Sequence, residues 1–143
     1  MIAFRAFAAG LALAAGLAVA GVALSACGGI IVQDDLAVTR TGPGGTLTVV
    51  VNDAGTATCN RKASVPISDP QLIEARYISM TIAPQAQSGV TLRAGPRPVF
   101  HYYVETPNGH VSFYDDSPGA PSLFQQIALL TLQISQQDCH LAL

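Results

Sequence analysis

The chain has 143 residues, half of them apolar, with 7 Lys and Arg against 9 Asp and Glu. Only Arg5 of those cations precedes Cys27, so six cations face nine acids beyond it, a net charge of −3. That balance excludes nucleic acid as a partner, because phosphate binding needs a concentrated basic face.

Met1 to Arg5 supplies one positive charge, and Ala6 to Leu24 is almost entirely Ala, Leu, Gly and Val. A charged start, an apolar segment and small residues before a cut describe an export signal. The run is nearly long enough to span a bilayer. It is weakly apolar, however, and no cation follows it to stop transfer.

Leu24-Ser25-Ala26-Cys27 comes next, and this tetrapeptide resembles the lipobox of bacterial lipoproteins. The resemblance implies cleavage before Cys27, a diacylglyceryl group on its sulfur, and anchorage in the lipid bilayer on the extracytoplasmic face of the cell membrane. Two acyl chains anchor stably where one binds only marginally. Residues 1–26 then read as a signal peptide, 27–35 as a lipidated tether and 36–143 as one domain, large enough to bury one core. The alternative is an uncleaved signal anchor, which leaves the domain on the same side of the membrane.

With Cys27 committed to lipid, Cys59 and Cys139 remain, in a compartment where disulfides persist. They are expected to pair. The loop so closed, about 80 residues, is worth on the order of 4 kcal/mol in the chain-entropy model.

Leu36 to Arg40 alternates as a first strand, and Thr41-Gly42-Pro43-Gly44-Gly45 breaks it with turn chemistry. Thr46 to Asn52 alternates Leu47, Val49 and Val51 against Thr46, Thr48 and Val50, the clearest strand. Asn52-Asp53-Ala54-Gly55 reads as a tight turn with a positive φ at Gly55. A return strand over Thr56 to Asn60 then sets Val51 opposite Ala57 and Val49 opposite Cys59. Arg61-Lys62, the adjacent basic pair, reads as a solvated turn.

Ser68-Asp69-Pro70 marks a helix start, with Asp69 as the cap. Leu72, Ile73, Arg76, Tyr77, Met80 and Ala83 follow at helical spacing, Pro84 is expected to kink or end the helix, and Gly89 is the latest stop. Val99 to Thr106 and His110 to Asp115 flank Pro107-Asn108-Gly109, a hairpin signal. A two-residue Asn-Gly turn sets Phe100, Tyr102, Val104, Val111 and Phe113 on one face, with His101, Tyr103, Glu105, Ser112 and Tyr114 opposite. A Pro-Asn-Gly turn with a bulge mixes the faces, so pattern favours the first. After the loop Asp116 to Pro121, Leu123, Ile127, Leu130 and Ile134 form the stripe of a second helix, widened by Phe124 and Ala128 and backed by glutamines. It ends near Asp138-Cys139. The fold class is therefore α+β: an antiparallel sheet of four or five strands with two helices on one face.

No catalytic set emerges. His101, His110 and His140 are not spaced as metal ligands with another His, Cys or carboxylate. Ser117 lacks the strand-turn-helix setting of a nucleophile elbow, and Asp115-Asp116 read as loop and capping groups. No cofactor is implied. Tyr103 and Tyr114, with His101 and Glu105, form a candidate binding patch on the outer sheet face.

The succession of strand, Gly turn, strand, Pro-started helix, Tyr-x-Val strand, Gly turn, Asp-Asp and Pro-started helix resembles small lipoproteins of high-GC Gram-positive (actinobacterial-type) bacteria. Arg40-Thr41-Gly42, Phe100 to Val104, Asp115-Asp116 and the following helix are also similar to the emfourin-type inhibitors of thermolysin-family metalloproteases. The first helix lacks that family's Leu-Pro-rich entrance, and the anchor and cysteine pair depart from it. The expected role is a membrane-anchored, non-enzymatic binding module for an envelope or secreted protein, with protease inhibition as its sharpest form. A structural, envelope-assembly lipoprotein is the alternative.

Overall fold

The computed structural model of the chain describes residues 34–142. The expected signal peptide, the expected lipobox with Cys27 and the expected tether up to residue 33 lie outside the described residues.

Six strands form one sheet: β1 (Asp34–Gly42), β2 (Gly45–Asn52), β3 (Thr56–Cys59), β4 (Val65–Pro66), β5 (His101–Thr106) and β6 (Gly109–Tyr114). Their spatial order is β4-β3-β2-β1-β5-β6, and every neighbouring pair is antiparallel. Two helices complete the fold, α1 (Asp69–Gln87) and α2 (Ser122–Gln133), the latter running into a π-helical turn, Ile134–Asp138. The α+β class with both helices on one sheet face is as expected. The sixth strand is β4, two residues long and ending in a proline, too short to leave an alternation in the sequence.

Alternation explains which face is buried. Leu36, Val38, Leu47, Val49, Val51, Ala57, Cys59, Tyr102, Val104, Val111 and Phe113 point to one side and join α1 and α2 in a single core. Val49 pairs with Cys59 and Val51 with Ala57, as the turn at Gly55 (φ 77°) requires. The first hairpin is tighter than the five-residue break expected. β1 runs on to Gly42, which pairs with Gly45 across Pro43-Gly44.

The second hairpin corrects the expected turn and keeps the expected faces. Thr106 pairs with Gly109, so the turn is Pro107-Asn108 rather than Asn108-Gly109, and no bulge is inserted. Proline presets the φ of the first turn position. Thr106 Oγ1 accepts the Asn108 N–H at 3.2 Å. The turn moves by one position and each cross-strand partner by two, an even number, so side chains keep their sides.

The helices cross the strands at opposite ends of the sheet. Leu72 of α1 lies against Gly55, Arg76 reaches Asp35, and Ala86 lies against Gly109. All these contacts fall at the end where β1, β3 and β6 begin. At the other end α2 stacks Phe124 on Phe113, ring centroids 4.6 Å apart. The chain leaving the π-helical turn is then tied to β3 by the Cys59–Cys139 disulfide, Cα–Cα 6.2 Å.

At the start of α1 the N-cap is Ser68, not Asp69. Gln71 Oε1 accepts the Ser68 N–H at 2.8 Å, half of a capping box. Gln71 Nε2 donates in turn to Asp138 Oδ2 at 2.7 Å, linking the start of α1 to the end of the π-helical turn. Nor does Pro84 end the helix: α1 continues to Gln87, where Ser88 donates its N–H and its hydroxyl to the Pro84 carbonyl and Gly89 (φ 62°) turns the chain away.

The buried face of α1 is the main departure. Gln71, Ala75, Ile78, Ser79, Ile82 and Ala86 face the sheet, whereas Ile73, Tyr77 and Met80, expected in the stripe, are 64%, 57% and 76% exposed. Two apolar stripes share this helix, and small residues at Ala75, Ser79 and Ala86 let the narrower one approach the sheet closely.

Candidate functional site

The side of the sheet opposite the helices is the candidate site, and its residues come in cross-strand rows. One row runs Thr58, Val50, Ala37, Glu105, His110; the next runs Thr48, Thr39, Tyr103, Ser112; the third runs Thr46, Thr41, His101, Tyr114. Threonine and valine suit a half-exposed pleated surface. Thr39 and Thr48 bridge hydroxyl to hydroxyl at 3.4 Å. Across β1, β2 and β3 this floor is low, built of Thr, Ala and Val, while β5 and β6 raise a ridge of rings along one side.

The ridge contains all four residues expected in the patch. His101 and Tyr114 lie directly opposite each other with ring centroids 4.8 Å apart. His101 Nε2 is 2.7 Å from Ser112 Oγ, which orients the imidazole. Ser112 itself is buried because the segment Val90–Leu92 runs beside β6 and exchanges backbone bonds with it: Ser112 N–H to Val90 at 2.9 Å and Leu92 N–H to Ser112 at 2.8 Å. Tyr103 packs on His110 at 5.3 Å, a member the sequence reading set beside the turn. The heterogeneous pairs, phenol on imidazole, give apolar bodies with polar tips. Glu105 is exposed opposite His110, and a cavity of about 350 Å³ opens beside it, lined by Asp34, Ala37, Thr106 and Pro107.

Such a surface can hydrogen-bond and stack but offers no obvious reaction. Ser117 Oγ accepts the Tyr114 N–H at 2.8 Å and shapes the turn after β6. The adjacent acids hold the preceding loop: Asp115 Oδ1 accepts the Val99 N–H at 3.0 Å, and Asp116 accepts those of Gly95 at 2.9 Å and Arg97 at 2.6 Å. These acids border a larger cavity, about 520 Å³, between that turn and α2, with those carboxylate oxygens already committed to backbone. His140 is exposed in the tail at φ 52°. Among the described residues no group of three or more His, Cys, Asp or Glu is placed to hold a metal ion, and no helix is long and apolar enough to cross a membrane.

Two other polar clusters border the core. Arg40 ends the buried face of β1 and lays its guanidinium 4.6 Å from the centre of the Phe100 ring. Burial pushes the Tyr102 hydroxyl above its ordinary pKa, and Arg40 offsets part of the rise. Near the start of β1, a bulge between Asp34 and Leu36 turns Asp35 toward α1. Arg76 donates from Nε to Asp53 Oδ1 at 2.8 Å and stands 3.9 Å from Asp35. Asp35 Oδ2 is buried without a hydrogen-bond partner. Burial first, then the Asp53 carboxylate, raises the Asp35 pKa above its ordinary 3.8, with Arg76 pulling it part of the way back.

Comparison with protein-family models, with curated proteins and with solved structures finds no match to this chain.

Proposed function

We propose that this protein is a lipid-anchored, extracytoplasmic binding module that presents the open sheet face to an envelope or secreted protein. The observation that carries the binding half is the ring ridge of His101, Tyr103, His110 and Tyr114 beside a low threonine floor. Tyrosine and histidine rings fixed by cross-strand packing lose little freedom on binding, and aromatic anchors dominate protein interfaces. The address rests on the lipobox at Leu24 to Cys27 after an export-type run. The disulfide suits an oxidising compartment.

The sharper form of the proposal is inhibition of a secreted metalloprotease. The residues behind the emfourin likeness cluster at one end of the sheet: Arg40 stacks on Phe100, and the Phe100 carbonyl accepts the Asp115 N–H at 3.0 Å.

Two variants test the two halves. Cys27→Ala is expected to release the protein from membranes or leave its precursor uncut; unchanged lipid labelling would remove the anchor. Tyr103→Ala with Tyr114→Ala is expected to abolish recovery of a partner crosslinked on intact cells while lowering stability by only about 1–2 kcal/mol, the cost of two cross-strand ring pairs, so that the domain stays folded. Undiminished recovery would place the binding surface elsewhere.

A further inference from the structure

The helix layer has an outer surface that the binding role does not use. Ile73, Tyr77 and Met80, together with the exposed Pro84, recur about half a turn round α1 from the buried Ile78 and Ile82, so they point directly away from the sheet. On α2, Leu129 is 53% exposed and points the same way.

The charge pattern of this layer is equally particular. No Asp, Glu, Lys or Arg occurs from Tyr77 to Leu92 or from Ser117 to Gln137. A water-facing helix is ordinarily charged on its polar side. Beyond Arg76, Gln, Ser and Thr flank the apolar stripe; the charges of α1 are confined to its first two turns, where Asp69 and Glu74 lie near Ile73 and Arg76 is bound to Asp53.

The expected point of attachment is only a short length of chain away from the start of β1. Residues 28–33 separate Cys27 from Asp34, and a chain of that length spans at most about 25 Å fully extended. Asp35, one residue into β1, is 3.9 Å from Arg76, which neighbours Tyr77 on α1. A lipid on Cys27 therefore keeps the α1 stripe within a few nanometres of the bilayer at all times. At such effective concentration a shallow, weak contact suffices to orient the domain.

We propose that the outer face of the helix layer, centred on Ile73, Tyr77 and Met80, rests on the bilayer that holds Cys27. This rests on the lipoprotein reading and adds an orientation to it. Tyrosine is at home at the headgroup level, with its ring in the apolar zone and its hydroxyl in water. From Tyr77 onward the lack of charge lowers the desolvation cost of laying the layer on lipid, while Asp69 and Glu74, at the start of α1, stay at the headgroup level. With the helices down, the open sheet face of His101, Tyr103 and Tyr114 is directed away from the membrane, toward an incoming partner.

The chain contains no tryptophan, so one introduced indole reports a single position. The acylated protein, isolated from membranes and reconstituted in phosphatidylcholine–phosphatidylglycerol vesicles, is compared as Tyr77→Trp and Tyr103→Trp, with Met80→Trp as a second helix probe. The expected result is blue-shifted emission and several-fold stronger quenching by brominated acyl chains at positions 77 and 80 than at 103. The mass of the N-terminal peptide reports the acyl group separately. An unacylated, unbound protein would overturn both the anchor and the orientation. An acylated, bound protein with equal quenching at all three positions would overturn the orientation alone. Weak quenching at positions 77 and 80, with blue-shifted emission there and a dimeric mass of the vesicle-bound protein after detergent extraction, would overturn it in favour of a second copy on this face.

Discussion

The two helices make an instructive pair. Along α2 and into the π-helical turn, the apolar residues that recur at helical spacing, Leu123, Phe124, Ile127, Leu130 and Ile134, are all buried. In α1 the spacing is just as regular, yet the wider apolar stripe stays outside, and Ala75, Ile78, Ser79, Ile82 and Ala86 pack on the sheet. A helix with one apolar face reports its own orientation. A helix with two does not, and the choice falls to the partner surface. Where α1 meets the sheet end at Gly55 and Gly109, small side chains allow close approach, and Tyr77 or Met80 turned inward would have to be accommodated in a full core.

The contrast is open to direct attack by unfolding the protein in denaturant. Phe124→Ala should cost about 4 kcal/mol and Ile78→Ala about 3 kcal/mol, since both truncate buried side chains. Ile73→Ala and Met80→Ala should stay within about 0.5 kcal/mol of the parent, as exposed substitutions do. A large loss at Ile73 would mean that the two stripes of α1 had been exchanged.

The disulfide anchors α2 at its end and has no counterpart in α1. Cys59→Ser with Cys139→Ser should cost roughly 3 kcal/mol, because the bridge closes a long loop in the unfolded chain. A free-thiol titration of the unfolded, unreduced domain should find neither cysteine; finding both would remove the bridge. Gln71→Ala removes the link from α1 to Asp138 and part of the Ser68 cap, and should cost on the order of 1–2 kcal/mol.

The smallest effect distinguishes the start of β1. Asp35 has a raised pKa in the folded state, so the fold binds its proton more tightly than the unfolded chain does. Its contribution to stability is therefore greatest at acid pH and falls as pH rises from below 3.8 through the raised folded value. Asp35→Asn should accordingly raise the melting temperature slightly at pH 7 and less at pH 3. Equal gains at both values would show that ionisation of Asp35 is irrelevant.

Much of the fold was legible because short-range patterns coincide with long-range ones. The alternation in Thr46 to Asn52 and the turn at Gly55 placed Cys59 inward, opposite Val49, where Cys139 reaches it. The faces of the second hairpin survive a turn displaced by one residue because each cross-strand partner then moves by two. That is why His101, Tyr103, Glu105 and Tyr114 share one side as expected. His110 was missed as a ring partner of Tyr103 because its place depends on the turn chosen. Strand β4 and the Val90–Leu92 pairing were hidden for another reason: each is too brief to show a period and exists through its neighbour.

The claim that the open sheet face is the binding surface can be tested with a photo-reactive residue placed singly at positions 103 and 77 and activated on intact cells. The account predicts that position 103 captures one envelope or secreted protein in near-equal amount and position 77 captures lipid. Protein capture at 77 with none at 103 would contradict it, and would make the outer face of the helices the working surface.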